Sequence, residues 1–346
     1  MKKKKKITIK DIAKETDLSI ATVSRVINKV GGQHYSEKSK KIVEDAIKRL
    51  NYKPNMIARG LKKRRTKTIG FVVPELDSFY SEIFLGAQDI ALKYKYSAFL
   101  CNTNYNEKLE KLHLENLLNR RVDGLIFTTG LLDSNLVYEF LEEGIPVVLI
   151  ENFINDSKIP TVKLDNYKYA KIAVKHLINE GYRRISYISA PIEEIYSLKE
   201  RYEGYKDALK ENGIKFDESF VCFSRTLRGE WDLSQSYKLI ENIMSKTDHP
   251  DALFIISDTV AMIALQVVKK MGYKIPDDVG VVGFDDRRIC RYLDTPLTSV
   301  YQPKYKMGAK GMELLLKIIK GEEIKERNIY LDMGLSIRES SDRAKR

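Results

Sequence analysis

The chain has no run of roughly eighteen apolar residues, so no helix of ordinary length crosses a bilayer. Cysteine is scarce. Cys101, Cys222 and Cys290 are far apart, odd in number and without metal-ligand spacing, which excludes a disulfide framework or a zinc ribbon. Each is expected to be a small buried apolar residue. Four histidines (His34, His113, His176, His249) are scattered, and no G-x-x-x-x-G-K-[ST] loop, G-x-S-x-G elbow or H-E-x-x-H helix occurs. No enzyme, metal or cofactor signature remains. The opening MKKKKK is followed by ITIKDIAKETD, without the apolar h-region of a secretory signal, so a cytoplasmic location is expected.

What is present is a globular composition, 43% hydrophobic and 31% charged, over 346 residues, enough for two or three domains. Charge is unevenly placed. Residues 1–67 hold 21 Lys and Arg against 6 Asp and Glu, while the remainder holds 39 against 42. A basic module on a nearly neutral body is the electrostatic footprint of nucleic-acid binding.

TIKDIAKETDLSIATVSRVINK reads as two short helices meeting at a tight turn. Thr8 and Asp11 make a capping signature, Asp17 tolerates the left-handed backbone a reversal requires, and Ser19 caps the second helix. Val23, Val26 and Ile27 form one apolar side of that helix. Ala21, Ser24, Arg25 and Asn28 lie opposite, small or hydrogen-bonding, as suits a helix entering the major groove. YSEKSKKIVEDAIKRLNY supplies a third helix, capped by Ser36, with Ile42, Val43, Ala46, Ile47 and Leu50 as its buried stripe. Three such helices make a helix-turn-helix reader. Beyond them, PNMIARGLKKRR carries proline at a first-turn position, exposed apolar residues and a basic tail.

From Lys67 the pattern becomes alternating strands and helices: TIGFVVP, Phe79–Lys95, SAFLCN, Glu107–Arg120, VDGLIFTTG, IPVVLIEN, then RRISYIS, Arg201–Asn212, ALFIIS, Asp258–Met271 and VGVVGFDD. This rhythm predicts parallel sheets covered on both faces, in two similar lobes.

TIKDIAKETDLSIATVSRVIN, YSEKSKKIVEDAIKRLNYKPN and A-R-x-L resemble the head and hinge of the lactose-repressor (LacI/GalR) family. RRVDGLIF, EGYRRISYIS, RYEGYKDAL, VGVVGFDD and TPLTSVYQP resemble its periplasmic-binding-protein-like core, the likeness reaching about residue 340. The resemblance implies roles. Ile20 and Ala21 would read bases, Arg25 a guanine edge, and Thr22, Ser24, Asn28 and Tyr52 phosphates or groove edges. Thr8 and Ser19 are placed with them on the DNA side. The hinge would fold only on operator DNA, with Leu61 as the minor-groove wedge, Lys62 after it, Asn55 and Ala58 facing the groove, and Ile57 at the hinge–hinge contact. Phe79, Tyr80, Glu151, Arg201, Trp231 and Asp285 fall at the family's effector positions, at the carboxyl ends of strands.

The expectation is therefore an all-α helix-turn-helix head (1–53), a hinge helix and linker (54–66) and a two-lobed α/β core with parallel sheets (67–340). Lobe 1 would hold 67–166 and 298–322, and lobe 2 would hold 167–297 and 323–340. Expected partners are double-stranded operator DNA, a small-molecule effector of the sugar class and a second copy of the chain as a homodimer, with no membrane, cofactor or metal. The function read from this is a ligand-responsive repressor of carbohydrate-utilisation genes binding a near-palindromic operator. Rival readings are a family member using a phosphorylated protein corepressor, a solute-binding protein, and an α/β enzyme.

Overall fold

The computed structural model describes residues 7–28, 35–52, 65–128, 135–151, 158–191, 196–224, 226–227 and 230–343. The chain divides into two compact units at Thr66 and Lys67. Most of the expected hinge, including Asn55, Ile57, Ala58, Leu61 and Lys62, lies outside the described residues.

The first unit holds α1 (Ile9–Thr16), α2 (Ile20–Ile27) and α3 (Glu37–Arg49). The Asp11 carboxylate accepts from both the backbone N–H and the hydroxyl of Thr8, Ser19 Oγ accepts from Thr22 N, and Ser36 Oγ from Ser39 N. Each bond satisfies a donor group at a helix start. Asp17 takes the left-handed conformation, φ 51°, that turns α1 into α2. Ile12, Val23, Val43 and Ala46 are fully buried where the three helices meet. Ile42, expected in the buried stripe of α3, is 39% exposed. At about 100° per residue it falls roughly 90° off the line set by Val43, Ala46, Ile47 and Leu50.

The second unit contains two six-stranded sheets. The first uses β1 (Thr68–Val73), β2 (Ser97–Asn102), β3 (Gly124–Phe127), β4 (Val147–Ile150), β5 (Thr161–Leu164) and a late strand, β13 (Asn328–Leu331), in the order β13-β5-β4-β3-β1-β2. All its pairs are parallel. The helices α4 (Ser78–Lys93), α5 (Glu107–Asn119) and α6 (Asn135–Glu142) connect its early strands. The second sheet uses β6 (Ile185–Ser189), β7 (Val221–Phe223), β10 (Ala252–Ile255), β11 (Gly280–Asp285), β12 (Thr298–Tyr301) and β14 (Gly334–Ser336), in the order β14-β12-β11-β10-β6-β7. Only β14 is antiparallel to its neighbour. This lobe also contains α7 (Asn166–Asn179), α8 (Tyr196–Glu211), α9 (Leu233–Met244) and α10 (Asp258–Lys270), with a small hairpin, β8 (Thr226–Leu227) and β9 (Glu230–Trp231). β3, β4, β10 and β11 are buried along their whole length, as parallel strands covered by helices on both faces must be. Side chains of Asp77, Asn106, Asp165 and Asp232 cap α4, α5, α7 and α9. An Asp or Asn therefore follows the strand end at each of these turns.

Two expected boundaries change. The strand 298–301 stays in the second sheet beside β11, and the chain returns to the first lobe only at Gln302 and Pro303, to form α11 (Lys304–Lys320). The segment 328–331 pairs with β5 in the first sheet, so the last crossing falls at Asp332 and Met333. Sheet membership is a non-local property that a short apolar run does not encode. The helix expected from Arg201 starts earlier, at Tyr196. Of the cysteines only Cys290 is buried, while Cys101 and Cys222 are half-buried. α11 packs backbone to backbone on α4: a Cβ on Gly308 would run into the carbonyl of Ile83, and one on Gly86 into that of Tyr305.

Candidate nucleic-acid interface and effector cleft

On α2 the polar face is turned outward. Ile20 is 47% exposed, Ala21 and Arg25 are exposed, and Thr22, Ser24 and Asn28 are half-buried. α2 contains no acidic residue to neutralise Arg25. Several expected contact residues also have local work. The Thr22 and Ser19 hydroxyls lie 2.9 Å apart, and Asn28 Nδ2 donates to Ser24 O at 2.7 Å, which leaves its amide oxygen over. The Thr8 hydroxyl donates to Asp11. Tyr52 packs partly on the head's core, and burial raises its hydroxyl pKa.

In the core Phe79, Tyr80, Arg201 and Asp285 gather where strands end and lobes face each other. Asp77 follows β1 and caps α4, its Oδ1 accepting from Phe79 N at 2.9 Å and Tyr80 N at 3.0 Å. Phe79 and Tyr80 meet edge to face, with centroids 5.1 Å apart. Asp285 ends β11 with φ 117° and is buried; its Oδ1 accepts from Gln302 Nε2 at 2.7 Å. Burial raises its pKa, against the opposing pull of Arg287, Arg201 and Lys304. Arg201 is 8% exposed, stacks 3.7 Å from the centre of the Phe284 ring, and donates through Nε to Asn166 Oδ1 at 3.0 Å. Burial lowers the pKa of its guanidinium, and Asp285 counters this.

Glu151 does not present a free carboxylate. Its Oε1 accepts from Leu164 N at 2.5 Å and its Oε2 from Asn166 Nδ2 at 2.8 Å, at the crossing between β5 and α7. Burial pushes its pKa up to about 7. Asn166 bridges it to Arg201 by hydrogen bonds. The backbone of Trp231 lies in β9, paired with Thr226, and its side chain is outside the described residues.

The sequence reading missed several members of this cluster. Arg287 Nη2 lies 2.6 Å from Asp77 Oδ2, and its Nε lies 3.5 Å from Asp285 Oδ2. Lys304, 3% exposed, donates to the carbonyls of Asp285 at 2.5 Å and Asp286 at 3.3 Å. Glu75 accepts from Tyr105 Oη at 3.0 Å and is pushed up to about 7 by burial and by Asp77. Asp258 sits beneath, accepting from Ser299 Oγ, Arg287 N and Cys290 Sγ, and its pKa is raised by burial and by the neighbouring Asp285. The strings PELDSFY, GFDDRR and YQPK held these residues, but nothing local tied them together. Near Tyr105 an open hollow of about 400 Å³ is lined by Asn104, Tyr105, Asn106 and Leu109. A second, of about 520 Å³, runs between β7 and α9, away from the cluster. The carboxylates of Glu75, Asp77 and Asp285 are matched in number by the cations Arg201, Arg287 and Lys304. Such a site suits a ligand with many hydroxyls and little net charge.

Comparison with known proteins accords with both units. The family described as bacterial regulatory proteins, lacI family, matches residues 8–55, and the periplasmic binding proteins and sugar binding domain of LacI family match residues 66–337. Catabolite control protein A of Priestia megaterium is 33% identical over 97% of this chain and 99% of its own length. The HTH-type transcriptional regulator RegA of Clostridium acetobutylicum is 37% identical over 96% of this chain and 98% of its own. Among solved structures, a complex of the transcriptional regulator CelR with cellobiose superposes with a TM-score of 0.71 at 29% identity, covering 96% of this chain and 99% of that one. The chain belongs to the LacI family of bacterial transcriptional regulators, DNA-binding proteins with a periplasmic-binding-protein-like core.

Proposed function

We propose that the chain is a cytoplasmic, sugar-responsive repressor of carbohydrate-utilisation genes that binds a near-palindromic operator as a homodimer. The observation that carries the effector half of this reading is the cluster between the lobes in which the carboxyl groups of Glu75, Asp77 and Asp285 stand among Arg201, Arg287 and Lys304. Phe79 and Tyr80 stand beside it as apolar surface for the C–H face of a sugar ring. The likeness to a regulator solved with cellobiose supports the same ligand class. On the DNA side, Arg25 with Ile20 and Ala21 would read base edges, and Thr8, Ser19, Thr22, Ser24, Asn28 and Tyr52 would fix the head on the backbone. Asn55, Ala58, Leu61 and Lys62 would act in the minor groove as the hinge folds. A sugar shifts operator affinity by its differential affinity for the two lobe arrangements.

Thermal denaturation against a panel of sugars and purines tests the effector half. A specific sugar at a hundredfold its Kd adds roughly 2.7 kcal/mol, and a purine-only response would overturn the assignment. A chain lacking residues 1–65 should keep this response and lose operator binding, which separates a regulator from a solute-binding protein. Recovery of the sugar unchanged after incubation separates it from an enzyme. The whole-length likeness to catabolite control proteins favours a second reading, with a phosphorylated protein as corepressor. Pull-down with phosphorylated and unphosphorylated carrier decides between the two.

A further inference from the structure

Arg287 connects the two lobes. It follows β11 in the second lobe, and its backbone N–H is fixed to Asp258 at 2.7 Å. Its guanidinium reaches into the first lobe, where Nη2 lies 2.6 Å from Asp77 Oδ2 and Nη1 donates to Ser78 Oγ at 3.3 Å. On its own side it lies 3.5 Å from Asp285 Oδ2. The Arg287 and Asp77 side chains are 17% and 19% exposed, so solvent screens the pair less than a surface ion pair. Asp77 Oδ2 is taken up by this ion pair. Arg287 Nε is buried without a hydrogen bond, and Asp285 Oδ2 stands 3.5 Å from it. The lobes are thus drawn together by charge, with one donor left over beside Asp285, and a hydroxyl group has the chemistry to accept from it.

We propose that Arg287 is a cross-cleft latch, holding Asp77 of the first lobe against Asp285 of the second, and that a polyhydroxy effector competes with its guanidinium for these carboxylates. The second half rests on the sugar-effector reading, whereas the first does not. The latch sets how far the cleft opens without any ligand, and a sugar that takes Asp285 must either displace the guanidinium or insert a hydroxyl beside it. Arg287 would then select against cationic effectors, which would meet a resident positive charge.

The test uses hydrogen exchange on the full chain, with no sugar present. Arg287→Gln in the second lobe should speed exchange across residues 74–84 in the first lobe. Asp77→Asn should do the same across 284–293 in the second. About tenfold is expected in each case, which corresponds to 1.4 kcal/mol. The double variant should be no faster than either single one, because both break the same contact, and Arg287→Lys should keep most of the protection. If each change is confined to the mutated lobe, the latch is overturned. Should Arg287→Gln fail to fold, Asp77→Asn carries the test from the other side. Repeating the measurement with the sugar found by thermal shift tests the competition: the sugar should bind the Gln variant with its affinity changed by about fivefold or more. Equal affinity would overturn the competition. If no sugar binds the wild-type chain, the effector reading and the competition fall together, and the latch is judged by the cross-lobe exchange alone.

Discussion

The head and the cleft treat positive charge in opposite ways. On α2, Arg25 is exposed and its helix carries no acid. In the cleft, Arg201 and Lys304 are buried and Arg287 is largely so, each next to carboxylates or carbonyls. An uncompensated, exposed cation is suited to a polyanion that brings its own counter-charge. A buried, compensated cation is suited to orienting a neutral polar ligand, since a bare charge in that setting costs several kcal/mol. The two sites therefore differ in the sign and amount of charge they ask of a partner.

Salt gives the largest contrast. Operator affinity should fall by about a thousandfold between 50 and 200 mM salt if six or more phosphates are contacted, while affinity for a neutral sugar should barely move. Titration of both ligands by fluorescence anisotropy and calorimetry checks this, and parallel salt slopes would erase the distinction. Next in size is Gly308→Ala, which forces a methyl group against the Ile83 carbonyl where α11 crosses α4. The core's melting transition should lose about 2–3 kcal/mol, with the head's transition unchanged in calorimetry. Arg25→Ala should cost about 1–3 kcal/mol of operator affinity and leave both melting transitions in place.

The last contrast is in pH dependence. Burial pushes Glu75 and Glu151 up to about 7 in the folded core, above the ordinary range of Glu, and raises Asp258 in the same direction. The folded chain therefore holds protons that the unfolded chain has already released. The stability this confers is complete below about pH 4 and is lost as pH rises through 7, by about 1–3 kcal/mol per group. The core's Tm should rise as pH falls from 8 towards 5.5, and Glu151→Gln should flatten that slope. A Tm that fell over the same range would reverse the assignment.

Local chemistry was the part most readable in the sequence. The caps at Thr8, Ser19 and Ser36, the left-handed Asp17 and the strand SAFLCN lie where the residues place them, because each depends on neighbours within a few positions. The exchange of strands between sheets was not readable, since Thr298–Tyr301 and Asn328–Leu331 are short runs that fit either lobe. The cleft was half readable. Arg201 and Asp285 do come together around Phe284 and Gln302, but Glu151 is occupied at a crossing. Arg287 escaped notice because its meaning depends on Asp77, 210 positions away.

Among the described residues the chain passes between the lobes three times, near Leu164, Gln302 and Asp332. The strands that carry these passages are neighbours, β5 beside β13 in one sheet and β12 beside β14 in the other, so the three straps lie together. Straps gathered in one place would favour rotation about a line through them, which would bring the facing walls together in one alignment. A regulator built this way can vary how often it shuts without varying what it shuts upon.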